Sequence, residues 1–208
     1  MERANSRKNS TYIVVGVGLL FIILIMVNQI SNQPTNYQTQ IRKERAAKDL
    51  QFKNDPTGPI PREARKTFDK LAYFPPQEAY LVPFERNLPS QRDTIYLPNT
   101  KGGQDAFLEA GQIVLTLQEK TYQLRAFEYL TEETPTLFVP FSDQTSGEST
   151  YGGGRYLDIP LTQPYEVDFN QAYNPYCVYN PNYTCPLPPP ENHLDIAVEA
   201  GEKNYINP

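Results

Sequence analysis

The stretch IVLTLQEKTYQLRAF, residues 113–127, sets the fold class. Ile113, Leu115 and Leu117 alternate with less apolar positions before its polar centre, and Tyr122, Leu124 and Ala126 do so after it. A period of two lines one face of a strand, and the Glu119-Lys120 pair between the runs reads as a turn, so the stretch predicts a β-hairpin. The same texture extends outward. AYLVPFE (79–85), DTIYLP (93–98) and DAFLEAG (105–111) precede the hairpin, and TLFVPF (136–141), RYLDIPL (155–161) and PYEVDF (164–169) follow it. Seven or eight short strands parted by Gly, Pro, Asn or charged turns predict a mainly β domain, an antiparallel sandwich or partly open barrel.

Two short helices are expected before the strands. Residues 41–52 carry Ala46, Ala47 and Leu50 at helical spacing among charges. The breaker NDPTGPIP (54–61) separates them from PREARKTFDKLAYF (61–74), where Pro61 suits a first helical turn and Phe68 and Leu71 make a stripe. Further upstream no charge occurs between Lys8 and Arg42, and residues 12–30 are almost wholly apolar. As a helix these 19 residues span about 28 Å, close to the hydrocarbon core of a bilayer. Arg3, Arg7 and Lys8 on the N-terminal flank predict a single-pass anchor in the cytoplasmic membrane with its N-terminus inside. A cleaved signal peptide is the rival, but residues 28–33 offer no small-x-small cleavage site. The expected organisation is a basic cytoplasmic tail (1–11), a transmembrane anchor (12–30), a tether with a juxtamembrane helix (31–49) and an exported β domain (50–208), periplasmic or extracellular.

The net charge of −5 is unevenly spread. Residues 126–208 hold two basic residues, Arg155 and Lys203, against 12 acidic ones. Nucleic acid is therefore not an expected partner, because phosphate contacts need clustered Lys and Arg. The expected partners are the membrane through 12–30 and either a small polar ligand or an envelope protein; no cofactor is expected.

Two irregular stretches hold the candidate chemistry. SDQTSGESTYGGGRY (142–156) brings Asp143, Thr145, Glu148 and Tyr151 ahead of three glycines and Arg155. It is no phosphate-binding P-loop, since no Gly-Lys-Ser/Thr ending and no helix follow. DFNQAYNPYCVYNPNYTCPLPPPEN (168–192) holds six prolines, four tyrosines and both cysteines. Its rings argue for an ordered loop wrapped on the sheet rather than disorder. A guanidinium holds carboxylates by paired bonds, so Arg155 is either a clamp onto Asp168, Glu191 or Glu202, or, with Asn170, Tyr173 and Asn174, the holder of a small acidic or polyhydroxylated ligand. Asn192 and Glu202 complete the candidate ligand set. Asp143, Glu148, Asp168, Glu191 and Glu202 offer carboxylates for paired hydrolysis or for Ca²⁺, though no spacing fixes either, and no metal site is expected. Cys177 and Cys185 flank Asn180-Pro181-Asn182, a turn that suits a disulfide in an exported domain. Metal ligation needs more ligands than His193 supplies, and no histidine pairs recognisably with a cysteine nucleophile.

FVPFSDQTSGESTYGGGRYLD, DFNQAYNPYCVYNP, CPLPPPENHL and AGEK, in this order, resemble the bacterial and archaeal family known as domain of unknown function 1684. The resemblance covers roughly residues 50–205 and departs from the family pattern at His193, where arginine is expected. It implies the domain and no reaction. Three classes of function follow: binding of a small polar or acidic ligand around Arg155 and the 168–192 loop, an envelope interaction module, or a hydrolase.

Overall fold

The computed structural model describes residues 34–131 and 136–206. The chain divides into two units, 1–39 and 40–208, and the second carries the fold. The expected anchor (12–30) and basic tail lie outside the described residues. Among the described residues no helix is long and apolar enough to cross a membrane.

Among the described residues there is one α-helix, α1 (Asn36–Asn54), starting earlier than expected. Ile41 and Phe52 are its buried residues. The second expected helix is not formed: 61–74 holds a single 3-10 turn, Ala64–Lys66. Tertiary contacts overrode its helical pattern. The Leu71 N–H donates to Asp49 Oδ1 (3.0 Å), and Tyr73 forms an antiparallel bridge with Glu202. Phe68 and Leu71 still bury as the stripe predicted, joining Phe52, Ile60 and Tyr179 in a small cluster.

The strands are β1 (Leu81–Asn87), β2 (Thr94–Pro98), β3 (Gln104–Leu117), β4 (Lys120–Glu128), β5 (Thr136–Asp143), β6 (Arg155–Pro160), β7 (Glu166–Asp168) and β8 (His193–Leu194). They form one sheet in the order β6-β5-β4-β3-β1-β7, with β2 added to β3 and β8 added to β5. Every pairing is antiparallel except β5–β8. The sheet curls into a nearly closed barrel, and a bridge from Tyr156 on β6 to Tyr173, just past β7, ties its two ends.

The hairpin forms with its turn one residue earlier than expected: Leu117 faces Lys120, and the loop is Gln118-Glu119. Both have positive φ, 49° and 65°, the type I′ geometry that matches strand twist. The runs 105–111 and 112–118 merge into the long strand β3, which bends at a bulge between Glu109 and Gly111. Gly111 has φ +95°, and a Cβ there would lie 2.1 Å from the Asn87 carbonyl oxygen. The bend lets β3 pair with β2 at one end and β1 at the other.

β5 is buried on both faces. Leu137, Val139 and Phe141 point into the barrel with Ile113, Leu124, Leu157 and Val167. Phe138 belongs to an outer cluster with Leu97, Phe107, Phe127, Tyr156 and Cys185. The 168–192 loop covers that outer face, so its tyrosines do order it.

Candidate functional site

Arg155 does not face solvent. Its side chain is 0% exposed and pairs with Asp143 at 2.8 Å, itself 0% exposed. The guanidinium also donates to the carbonyls of Val198 (2.9 Å), Glu202 (3.2 Å) and Ala200. Burial pulls its pKa down, and Asp143 opposes that. The clamp thus holds the C-terminal segment through backbone carbonyls and Asp143, not through Asp168, Glu191 or the Glu202 carboxylate. Asp143 Oδ1 accepts from the Thr145 N–H (2.6 Å), and Thr145 shares a hydroxyl bond with Thr150 (2.9 Å). Gly154, at φ +85°, lets the Phe141 carbonyl approach to 2.4 Å of where a Cβ would stand. The glycine run serves a backbone contact.

The open chemistry lies elsewhere, between α1 and the 168–192 loop. Ile41, Arg45, Lys48 and Phe52 recur at helical spacing on α1, which places two cations on its inward face. Arg45 donates to the carbonyls of Phe74 (2.7 Å) and Asn170 (2.9 Å) and lies over the Tyr73 ring. Lys48 pairs with Glu202 at 2.7 Å and sits 4.8 Å from the centre of the Tyr173 ring. Glu202 is buried, and its other oxygen accepts from the Asn174 N–H (2.9 Å) and the Tyr179 hydroxyl. Asn174 also donates its side-chain amide to the Lys203 carbonyl (2.8 Å). The Asn170 side chain exchanges hydrogen bonds with both backbone groups of Gln77, at 2.9 and 2.7 Å. Asp168 caps that turn by accepting from the Asn170 N–H (2.9 Å).

Two adjoining cavities result. The first, about 280 Å³, is lined by Glu44, Arg45, Lys48, Tyr73, Asp158, Asn170, Tyr173 and Glu202. The second, about 480 Å³, is lined by Lys48, Asp158, Cys185 and five tyrosines: Tyr129, Tyr156, Tyr173, Tyr176 and Tyr183. Lys48, Asp158 and Tyr173 belong to both, so the two form one groove. At this junction the Tyr173 hydroxyl donates to Asp158 at 2.6 Å. The rings stand edge to face, Tyr156 on Tyr173 at 5.7 Å and Tyr176 on Tyr183 at 5.4 Å. Burial, ahead of any neighbouring charge, raises the pKa values of Tyr156, Tyr173 and Tyr176, so they stay neutral phenols.

Of the residues singled out from sequence, Asn170, Tyr173 and Glu202 line the groove, and Asn174 supports it. Asp143, Thr145 and Arg155 form the clamp. Glu148 and Glu191 are exposed and apart. Asn192 ends the 3-10 turn Pro190–Asn192, and its side-chain amide joins the sheet: it accepts from the Arg125 N–H (2.7 Å) and donates to the carbonyls of Arg125 (2.9 Å) and Pro140 (2.8 Å). It fills the gap between β4 and β5, which share the single register pair Phe127–Phe138. His193 bonds Ser142 at 3.0 Å. The expected disulfide is absent. Cys177 and Cys185 are free thiols that lie side by side, the Cys177 N–H donating to the Cys185 sulfur at 3.2 Å. Lys48, Arg45, Tyr73 and Asp158 were missed. The one signal, for Arg45 and Lys48, was charge on the helix face that also carries Ile41 and Phe52; Tyr73 and Asp158 gave none.

The profile of a family described as a protein of unknown function (DUF1684) matches residues 66–203. No curated protein matches. Among solved structures, the solution NMR structure of an uncharacterised protein of Haloarcula marismortui is 35% identical, with a TM-score of 0.64, and the match covers 81% of this chain and 94% of that one. The chain belongs to the DUF1684 family.

Proposed function

We propose that the groove binds a small, neutral, polyhydroxylated ligand of the sugar type. The observation that carries this reading is the junction of the two cavities. There one cation, Lys48, and one carboxylate, Asp158, flank a tyrosine face. Ring faces pack against the apolar face of a sugar, and the charged pair and neutral phenols bond its hydroxyls. Opposite charges in balance favour a neutral ligand over an anion. Arg155 holds the C-terminal segment beneath this groove and takes no part in the contact. Asp158 and Glu202 share the first cavity, but Glu202 is committed to Lys48, Asn174 and Tyr179, which favours binding over hydrolysis by paired carboxylates. The extracytoplasmic placement remains part of the proposal, supported by the basic flank and apolar run of 1–30.

Isothermal titration of the full chain with mono- and disaccharides, small acids and nucleotides tests this. Saturable sugar binding that falls at least tenfold in Tyr173→Ala and in Lys48→Ala is the expected result. Preference for a small acid would overturn the neutral-ligand assignment. Failure of every compound would turn attention to a protein partner at this surface.

A further inference from the structure

The groove changes character along its length. Glu44, Arg45, Asn170, Gln171 and Glu202 stand around its first cavity, and Tyr129, Tyr156, Tyr176 and Tyr183 around its second. Charged and amide groups thus gather at one end and rings at the other. Tyr176 is 41% exposed in the wall of the aromatic end. It is nevertheless fixed. Its carbonyl accepts from the Tyr179 and Asn180 N–H groups, both at 3.1 Å, which closes the 3-10 turn Tyr176–Val178 behind Pro175. Its ring meets Phe52 of α1 edge to face at 6.2 Å and Tyr183 at 5.4 Å. Docking α1 does not account for the exposed ring, because Phe52 already packs on Tyr179 at 5.3 Å within a buried cluster of its own. Tyr96, the other exposed tyrosine among the described residues, lies on β2 and lines neither cavity. A ring held in place yet open to solvent meets a ligand with little loss of side-chain freedom.

We propose that the groove takes a saccharide chain of at least two pyranose rings with equatorial hydroxyls, and that Tyr176 is the platform on which the ring in the aromatic cavity stacks. This rests on the sugar reading above and adds to it the length of the ligand, its ring configuration and the residue that selects it. A pyranose with equatorial hydroxyls keeps its oxygens at the rim and shows only C–H groups on its faces. Such a face suits a tyrosine ring, whereas an axial hydroxyl would lose its water against one. A single ring fills one cavity and leaves the other empty. A second ring in the first cavity reaches Glu44, Asn170 and Gln171 with its rim hydroxyls. The linkage between the rings then falls at the shared junction, where the Lys48 ammonium is a donor and Asp158, already accepting from Tyr173, has further lone pairs.

The test titrates the full chain, in a detergent without a sugar head group, with glucose, cellobiose and mannobiose. Cellobiose is expected to bind about tenfold tighter than glucose, since its second ring adds contacts without a second loss of translational freedom. Mannobiose, which carries axial hydroxyls, should bind more weakly than cellobiose. Tyr176→Leu keeps an apolar side chain against Phe52, so cellobiose affinity should fall about fivefold while the melting midpoint stays within about 3 °C. Tyr176→Phe, which keeps the ring, and Tyr96→Leu, outside the groove, should each stay within about twofold of the parent. In the parent, which needs no variant, nuclear Overhauser contacts should join cellobiose C–H protons to the Tyr176 ring. Glucose binding as tightly as cellobiose, a preference for mannobiose, parent-like affinity in Tyr176→Leu, or Overhauser contacts that pass Tyr176 by would overturn this proposal and leave the sugar reading standing. No binding of any saccharide would remove both.

Discussion

Replacing Arg155 by methionine tests how the C-terminal segment is held. The substitution keeps much of the stem and removes the guanidinium. It strands the Asp143 carboxylate, which is 0% exposed, and frees the carbonyls of Val198, Ala200 and Glu202. Breaking a buried ion pair from one side costs about 3–5 kcal/mol. Each orphaned carbonyl adds about 1 kcal/mol at most, since the segment can relax and such terms do not sum. A total of about 4–6 kcal/mol is expected. For a unit of this size 1 kcal/mol moves the midpoint by about 2–4 °C, so Tm should fall by about 10–20 °C. Circular dichroism melts of the parent, Arg155→Met, and Arg155→Met combined with Asp143→Leu measure it. The double variant removes the stranded charge and should regain about 2 kcal/mol. An Arg155→Met chain melting within about 3 °C of the parent, or a double variant less stable than the single one, would refute the clamp.

Gly111→Ala must place a Cβ 2.1 Å from the Asn87 carbonyl at φ +95°, and should cost about 2–4 kcal/mol in urea unfolding. Gln118→Asn with Glu119→Gly suits the type I′ turn better, and should raise stability by about 1 kcal/mol. Asn192→Asp turns a donor toward the Arg125 and Pro140 carbonyls into a second acceptor, and should cost about 3–5 kcal/mol at pH 7, read from the urea midpoint. Alkylation of Cys177 by iodoacetamide should follow the sign of its lowered pKa: thiolate is present above about 7 and lost as pH falls. The rate should therefore level off above about pH 8 and drop about tenfold per unit below pH 6, and a midpoint near 8.5 would contradict the lowered pKa.

Alternation made the strands legible because a barrel wall buries one face, and Ile113, Leu115 and Leu124 sit inside as the period requires. The hairpin turn was displaced by one residue because Gln118 and Glu119 carry no preference for positive φ. Local pattern could not show that 61–74 would give up its helix, since the competing partners, Asp49 and Glu202, are remote in sequence. Composition marked the 168–192 loop as ordered and left Arg155 between a clamp and a ligand holder. Its burial fits the clamp, and that burial depends on the C-terminal segment that the guanidinium holds. The groove was half legible. Asn170, Tyr173 and Glu202 stood in the expected set, while Asp158 lies on the outward face of β6 and Lys48 on a helix read as a juxtamembrane spacer.

The central claim is that ligand meets this protein at the groove and not at Arg155. Backbone and side-chain chemical-shift mapping of the isotopically labelled full chain during a disaccharide titration tests it directly. The account predicts saturable shifts centred on Lys48, Asp158, Tyr173 and Tyr183, with the 142–155 loop unmoved. Shifts centred on that loop and Arg155, with the groove tyrosines silent, would contradict it.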